Sequence, residues 1–414
     1  MSRDGRLPAG VNGGGAASPP SMRIALVSET WFPQVNGVSR SLEKLVESFV
    51  GCGDTVRLFI PRYPKSHLPD GVSAVGFRAV PLPFYPEVRL PVVTPATVAR
   101  ELVSFRPDVV HIATEGPLGW AALRASRRLG LPVVSSYHTS FAHYLRLYGA
   151  GWLEGTAWRY LRGFHNATAA TFCPTPSIRD QLREKGFERV EIWSRGVNCG
   201  HFHPGKRNGE LRRQLGVPEN AVVLACCGRL AAEKNLETLL AAFSRLDPSK
   251  PVNLLLVGDG PLRPKLEASG DPRVIFTGYR RGEELACIYA SADLFVFPSL
   301  SDTFGNVLLE AMASGLPAVA FDVPGPRDVI RCGETGLLVG QVGAETLAAA
   351  LAGLIADPAR MAGMSANARE FAAGQDWEKI NSVVRQRYLE VIGAVTRQAA
   401  LSQTAAGKGV QPCP

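Results

Sequence analysis

Residues 297–321 read FPSLSDTFGNVLLEAMASGLPAVAF: an apolar run ending at Ser299, a polar loop, a helix-forming stretch from Phe304 or Gly305, and a stop at Gly315. That order puts the backbone N–H groups of Phe304, Gly305, Asn306 and Val307 at a helix N-terminus, where orphan donors cradle an anion. Gly305 lets the backbone approach a ligand closely. Asp302 and Glu310 flank the cradle. Eight residues apart, they stand up to ~12 Å from one another at the rise of a helix. Acid pairs that work across one bond stand roughly 5–9.5 Å apart. The longer spacing suits two hydroxyl-bearing groups held on either side of a diphosphate. Taken alone, a helix cap at Asp302 and a solvated Glu310 explain the pattern equally well.

Residues 227–243, CGRLAAEKNLETLLAAF, follow a second apolar run. Arg229 and Lys234 fall at its end, five residues apart. A fork-shaped guanidinium beside a point ammonium suits a diphosphate leaving group; a solvated pair of Lys234 with Glu233 is the plainer alternative. Asn36-Gly37 reads as a tight turn before a helix. Gly258-Asp259-Gly260 lacks the third glycine of a dinucleotide fingerprint and reads as a plain turn. His138 ends a strand beside Thr139, while His201 and His203 lie in a linker. No Asp-x-Asp occurs, so a nucleotide–metal site of that type is not indicated. Residues 141–165 carry seven aromatic rings, Trp152 and Trp158 among them, and Arg146, Arg159 and Arg162 against Glu154 alone. Such a segment suits a membrane interface or a buried helix pair between domains.

These motifs need a scaffold that brings strand ends together. From Arg23 the chain alternates short apolar β runs with helical patterns, at residues 23–28, 55–60, 108–112, 132–138 and 191–193. A second series follows at 222–228, 253–260, 274–278, 294–299, 317–321 and 336–339. Strands alternating with helices predict α/β units, each a doubly wound parallel sheet. Ligands of such sheets bind beyond the C-terminal strand ends, where the motifs fall. The stretch 202–206 reads as the linker, 377–391 as an amphipathic helix, and the chain from Gln398 as a mobile tail.

Composition narrows the partners. Apolar residues make up 46 % and charged residues 20 % of 414, a globular balance that excludes a disordered or collagenous chain. The net charge of +8 points to an anionic partner: nucleic acid, acidic lipid or a phosphate-bearing substrate. Eight scattered cysteines without a CxxC pair fit a reducing, cytoplasmic compartment rather than a disulfide framework or a zinc site. The opening MSRDGRLPAGVNGGGAASPPS lacks an apolar h-region and reads as a disordered Gly/Pro/Ser tail, not a signal peptide.

Together, GRLAAEKNL and SDTFGNVLLEAMASGLPAVAF resemble the donor-site signatures of the family 4 glycosyltransferases, retaining enzymes of the GT-B fold, over about residues 23–391. PQVNGV and YHTSFAHYLRLYG resemble the subgroup of GDP-mannose-dependent α-mannosyltransferases and lipid-modifying relatives such as sulfoquinovosyltransferases. The resemblance implies two Rossmann-like domains facing across a cleft: acceptor-binding at 22–203 and donor-binding at 204–375. A helix at 376–397 would pack back on the first domain, with tails at 1–21 and 398–414. It further implies that Arg229 and Lys234 bind the donor diphosphate and that Glu310 holds the ribose. Asp302, one methylene shorter than the family's Glu, would reach the donor sugar. Residues Phe304, Gly305, Asn306 and Val307 would give N–H groups to phosphate or sugar. Gly37 would let the acceptor-domain loop approach the diphosphate, His138 would stand beside the transferring sugar, and a turn opened by Gly278 would receive the base. The expected reaction moves a hexose, mannose first, from a nucleotide diphosphate sugar to an acceptor hydroxyl, with no metal or other cofactor and no nucleic acid. GDP-mannose is the expected donor and a glycolipid at the inner face of an anionic membrane the expected acceptor. The alternatives are a UDP-sugar-dependent diacylglycerol glycosyltransferase and a sugar-nucleotide epimerase of the same fold. A nicotinamide oxidoreductase shares the sheet type but not the fingerprint.

Overall fold

The computed structural model describes residues 20–34, 36–63, 67–82, 85–138, 151–268 and 270–407. Among the described residues, fifteen strands follow in chain order. The first nine are β1 (Arg23–Val27), β2 (Thr55–Pro61), β3 (Ser73–Phe77), β4 (Ala79–Leu82), β5 (Tyr85–Pro91), β6 (Val109–Ile112), β7 (Val133–Ser136), β8 (Ala170–Cys173) and β9 (Val190–Ile192). The second group is β10 (Val222–Cys227), β11 (Val252–Val257), β12 (Val274–Gly278), β13 (Leu294–Phe297), β14 (Ala318–Phe321) and β15 (Gly336–Val339). The first sheet runs β3-β2-β1-β6-β7-β8-β9 and the second β12-β11-β10-β13-β14-β15. Every pairing in them is parallel. Strand order reverses between β1 and β6, and again between β10 and β13, so each domain has one switch-point crevice.

Strands inside the sheets are buried on both faces, as parallel sheets demand: β6, β7, β8, β11, β13 and β14 are buried along their whole length. The reading from sequence missed β3, the β4–β5 hairpin and β8. Strand β3 (SAVGF) is a sheet edge and stays largely uncovered, so it lacks an apolar run. Strand β8 (ATFC) is only four residues long, too short to stand out.

The last helix, Trp377–Gly407, crosses back to the first domain. Its Val384, Tyr388 and Val391 join the core formed by β1, β2 and the helix Gly37–Gly51. Arg385 grips Asp54 with two hydrogen bonds, at 2.8 and 2.9 Å, in a buried pair. Removing one partner of such a pair leaves an uncompensated buried charge, at a cost of about 3–5 kcal/mol. Tyr388 reaches the buried His111, whose other ring nitrogen meets Ser136. The helix runs to Gly407, through residues read from sequence as a tail; residues 1–19 and 408–414 lie outside the described residues. At 202–206 the linker is a single tight turn, Pro204–Lys206, capped by the His203 ring.

Candidate active site

The second sheet presents three glycine-bearing strand ends side by side. A Cβ on Gly258 would lie 1.9 Å from the Gly228 carbonyl oxygen, and Gly258 has a φ of +140°. Only glycine allows the turns after β10 and β11 to approach so closely. Leu230 N–H donates to Asp259 O, and Leu262 N–H to Leu230 O, both at 2.9 Å. Gly258-Asp259-Gly260, read from sequence as a plain turn, therefore supports the backbone that carries Arg229. Gly278 ends β12 and gives its carbonyl to Gly258 N–H at 2.9 Å.

Arg229 and Lys234 line one depression at the end of β10 with Gly228 and Ser299. Lys234 Nζ donates to both oxygens of Asp302, at 2.8 and 2.7 Å. The side chains are 24 % and 20 % exposed, so the pair is partly screened and open to a ligand. The backbone carbonyl of Glu233 accepts from Ser299 and Ser301.

The helix after β13 spans Asn306–Ala313, with Gly305 as its N-cap at φ +82° and no side chain capping it. It starts later than the sequence implies. Asn306 and Val307 stand in its first turn, whereas Phe304 precedes the cap and sinks into the core. The need for glycine at Gly305 is also steric: a Cβ would lie 2.8 Å from the Phe297 ring. Gly37 is a correction of another kind. Asn36 is a helix N-cap, its side chain accepting from Val38 and Ser39 N–H, and Gly37 is the first helical residue rather than part of a tight turn. A Cβ on Gly37 would meet Asn306 Nδ2 at an ordinary 3.7 Å.

Side-chain contacts join the edge of the second sheet to the first domain. Thr303 Oγ1 donates to His138 O at 2.8 Å, Asn306 Nδ2 to Gly37 O at 3.4 Å, and Arg40 Nη1 to Glu310 Oε1 at 2.8 Å. Glu310 also accepts from Tyr289 Oη at 3.1 Å. Burial pushes its carboxyl up, and Arg40 pulls it back. His138 Nδ1 accepts from Arg195 Nη2 at 3.0 Å, and its ring stands edge-on to Trp193. Burial, then Arg195, holds its pKa well below the ordinary value, so the ring is neutral at neutral pH.

A polar cluster that the sequence reading missed lines the first sheet's edge. Glu29 follows β1 and accepts from Leu118 N–H at 2.6 Å, at the start of the helix Pro117–Arg128. Burial raises its carboxyl to about 7, against the pull of that helix start. Glu115 accepts from His165 at 3.0 Å, and Tyr160 donates to the Glu115 carbonyl. Arg40, Arg195, Tyr289 and Glu29 carried no motif. Arg40 alone had a usable signal, since positions 36, 37, 40 and 41 share a helix face.

Of residues 141–165, those from 141 to 150 lie outside the described residues. The helix Glu154–Asn166 buries Leu161, Phe164 and His165 within the first domain, not between domains. Trp158 packs on that core beside Phe187, while Trp152 is 82 % exposed. No single helix among the described residues is long and apolar enough to cross a membrane. Among them, no group of three or more His, Cys, Asp or Glu is placed to hold a metal ion.

Residues 35–201 match the family described as "Glycosyltransferase Family 4", and residues 221–357 match "Glycosyl transferases group 1". A GDP-mannose-dependent alpha-mannosyltransferase of Mycobacterium tuberculosis is 38 % identical over 388 residues, covering 92 % of this chain and 99 % of its own. A phosphatidyl-myo-inositol mannosyltransferase of Mycolicibacterium smegmatis is 31 % identical over 384 residues, covering 90 % and 95 %. The solved sucrose-phosphate synthase from Thermosynechococcus elongatus superposes with a TM-score of 0.77 at 24 % identity, over 90 % of this chain and all of that one. That likeness concerns the fold, two facing α/β domains of the GT-B type.

Proposed function

The chain belongs to glycosyltransferase family 4 and transfers a hexose from a nucleotide sugar; we propose that the hexose is mannose, the donor GDP-mannose and the acceptor a glycolipid hydroxyl. The observation that carries the site reading is the depression lined by Arg229 and Lys234, with Asp302 bound to Lys234. The mannosyl and GDP parts of the proposal take their support from the M. tuberculosis relative, and the lipid part from the M. smegmatis one.

In this reading the donor diphosphate lies over Arg229 and Lys234, with the N–H groups of Asn306 and Val307 on phosphate or sugar. Glu310 accepts from the ribose hydroxyls, Asp302 from the sugar, and the turn opened by Gly278 receives the base. As the bond from C1 to the phosphate oxygen breaks, negative charge grows on the diphosphate. Preorganised cations and helix N–H groups stabilise it there without a metal. The acceptor oxygen bonds to C1 on the same face, and its proton passes to the departing phosphate oxygen. This front-face course retains the α configuration and needs no side-chain nucleophile. Neutral His138 stands beside the sugar without adding a competing charge. Domain closure excludes water and suppresses donor hydrolysis.

The acceptor's membrane is addressed by Trp152 and the exposed Arg159 and Arg162 of the first domain, on the cytoplasmic face of an anionic bilayer. A thermal-shift screen against GDP-mannose, UDP-glucose, UDP-galactose and UDP-N-acetylglucosamine tests the donor. At 100 times its dissociation constant the true donor adds about 2.7 kcal/mol of stability. Stabilisation by a UDP sugar alone would replace this reading with the UDP-dependent one. Donor turnover without an acceptor would point to the epimerase.

A further inference from the structure

Glu310 has both carboxylate oxygens engaged, and by partners of very different exposure. Oε2 takes the Tyr289 hydroxyl, which is fully buried in the core of its own domain. Oε1 takes Arg40 Nη1 from the opposite domain, across 270 residues of chain. The Glu310 side chain is 10 % exposed, whereas that of Arg40, on the first helix, is 36 % exposed. Of the two partners, Arg40 is the one that can leave without disturbing a core. An unpaired carboxylate at that depth would be costly, and the Arg40 guanidinium offsets that cost.

We propose that Arg40 holds the place of the donor's ribose at Glu310. The guanidinium occupies the carboxylate in the donor-free chain. An entering nucleoside diphosphate exchanges its ribose hydroxyls for that guanidinium and so releases the first domain's helix Gly37–Gly51 from the donor helix Asn306–Ala313. The inference rests on the ribose reading of Glu310 given above. Donor binding then has to break an ion pair, and every nucleotide that carries a ribose meets the same competition. A diphosphate without a ribose does not.

Calorimetric titration at pH 8 with GDP and with inorganic pyrophosphate tests the exchange, on the parent protein, Arg40→Met, Glu310→Gln and the double variant. Arg40→Gln serves as a second removal of the charge. Both Arg40 variants are expected to bind GDP about two- to fivefold more tightly, the size of a partly exposed ion pair. Pyrophosphate affinity should not change, and the gain for GDP should vanish in the Glu310→Gln background. Unchanged or weaker GDP binding in the Arg40 variants, with a loss in Glu310→Gln, overturns the exchange and leaves the ribose reading standing. No loss of GDP affinity on going from Arg40→Met to the double variant, where the competition is already gone, overturns the ribose reading itself. Weaker pyrophosphate binding in the Arg40 variants would make Arg40 a diphosphate ligand and also overturn the exchange.

Discussion

The two sheets end in chemically opposite edges. Along the second sheet, ionised groups come in partly exposed pairs: Lys234 with Asp302, and Arg263 with Asp259. Along the first, ionisable groups are buried where their charge is suppressed. Burial holds His138 well below its ordinary pKa, takes His111 down to about 3 and lifts Glu29 to about 7. A paired, half-exposed cation can turn to a phosphate with little loss of solvation. A buried neutral imidazole or carboxyl offers hydrogen bonds without drawing an ion. The contrast suits a cleft in which one wall receives a charged leaving group and the other an uncharged hydroxyl.

The largest expected effect lies on the charged edge. Arg229→Ala and Lys234→Ala should each lower kcat by ~10²–10³-fold, the loss typical of one preorganised charge-stabilising donor. A variant that keeps more than a third of parental turnover at saturating donor would end the contrast at that residue.

The neutral edge is probed by pH. Glu29 has a folded pKa near 7 against 4.5 for a free carboxyl. Between those values the folded chain holds a proton that the unfolded chain releases. The stability this group contributes is whole below 4.5 and is lost as pH rises through 7. Glu29→Gln should therefore gain stability relative to the parent from pH 5 to pH 8, by at most about 3 kcal/mol, read from denaturant unfolding. A constant difference across that range would mean that the edge does not suppress charge.

Within the charged edge, the two carboxylates should separate. Glu310→Gln should weaken nucleoside diphosphate binding by about tenfold, the worth of a charged hydrogen bond. Asp302→Asn should alter the choice of sugar more than nucleotide affinity. Equal losses of affinity in both variants would remove the division of roles.

The smallest effects concern the outer face of the first domain. Trp152→Ala should leave melting unchanged and weaken co-sedimentation with anionic liposomes, a binding that falls with salt because each basic residue adds about 1 kcal/mol at the surface. Trp158→Ala should instead lower stability, by about 3 kcal/mol or less for a partly buried ring. Lowered melting in Trp152→Ala, or no liposome binding by the parent, would contradict the membrane address.

The same contrast decides what could be read from residues alone. The charged edge is built from two segments that are each local in sequence, a strand end followed by a loop and a helix, so Arg229 with Lys234, and Asp302 with Glu310, stood out by spacing within their own segment, although Lys234 meets Asp302 across 68 residues. The resemblance then supplied their roles and the facing of two domains. The neutral edge is assembled from distant pieces. Arg195 meets His138 across 57 residues and His165 meets Glu115 across 50, and no periodicity announces such pairs. The Arg40–Glu310 contact was hidden for the same reason. Phe304 and Gly37 were misplaced by one or two residues because helix starts depend on the cap, and caps depend on side-chain geometry.

The most direct test of the central claim is GDP release from GDP-mannose in EDTA, with and without a glycolipid acceptor, for the parent and Lys234→Ala. The account predicts acceptor-dependent release by the parent, undiminished by EDTA, and a loss of at least a hundredfold in the variant, the lower end of the range for such a donor. Release abolished by EDTA and restored by Mn²⁺ or Mg²⁺, or carried equally by the variant, would contradict it.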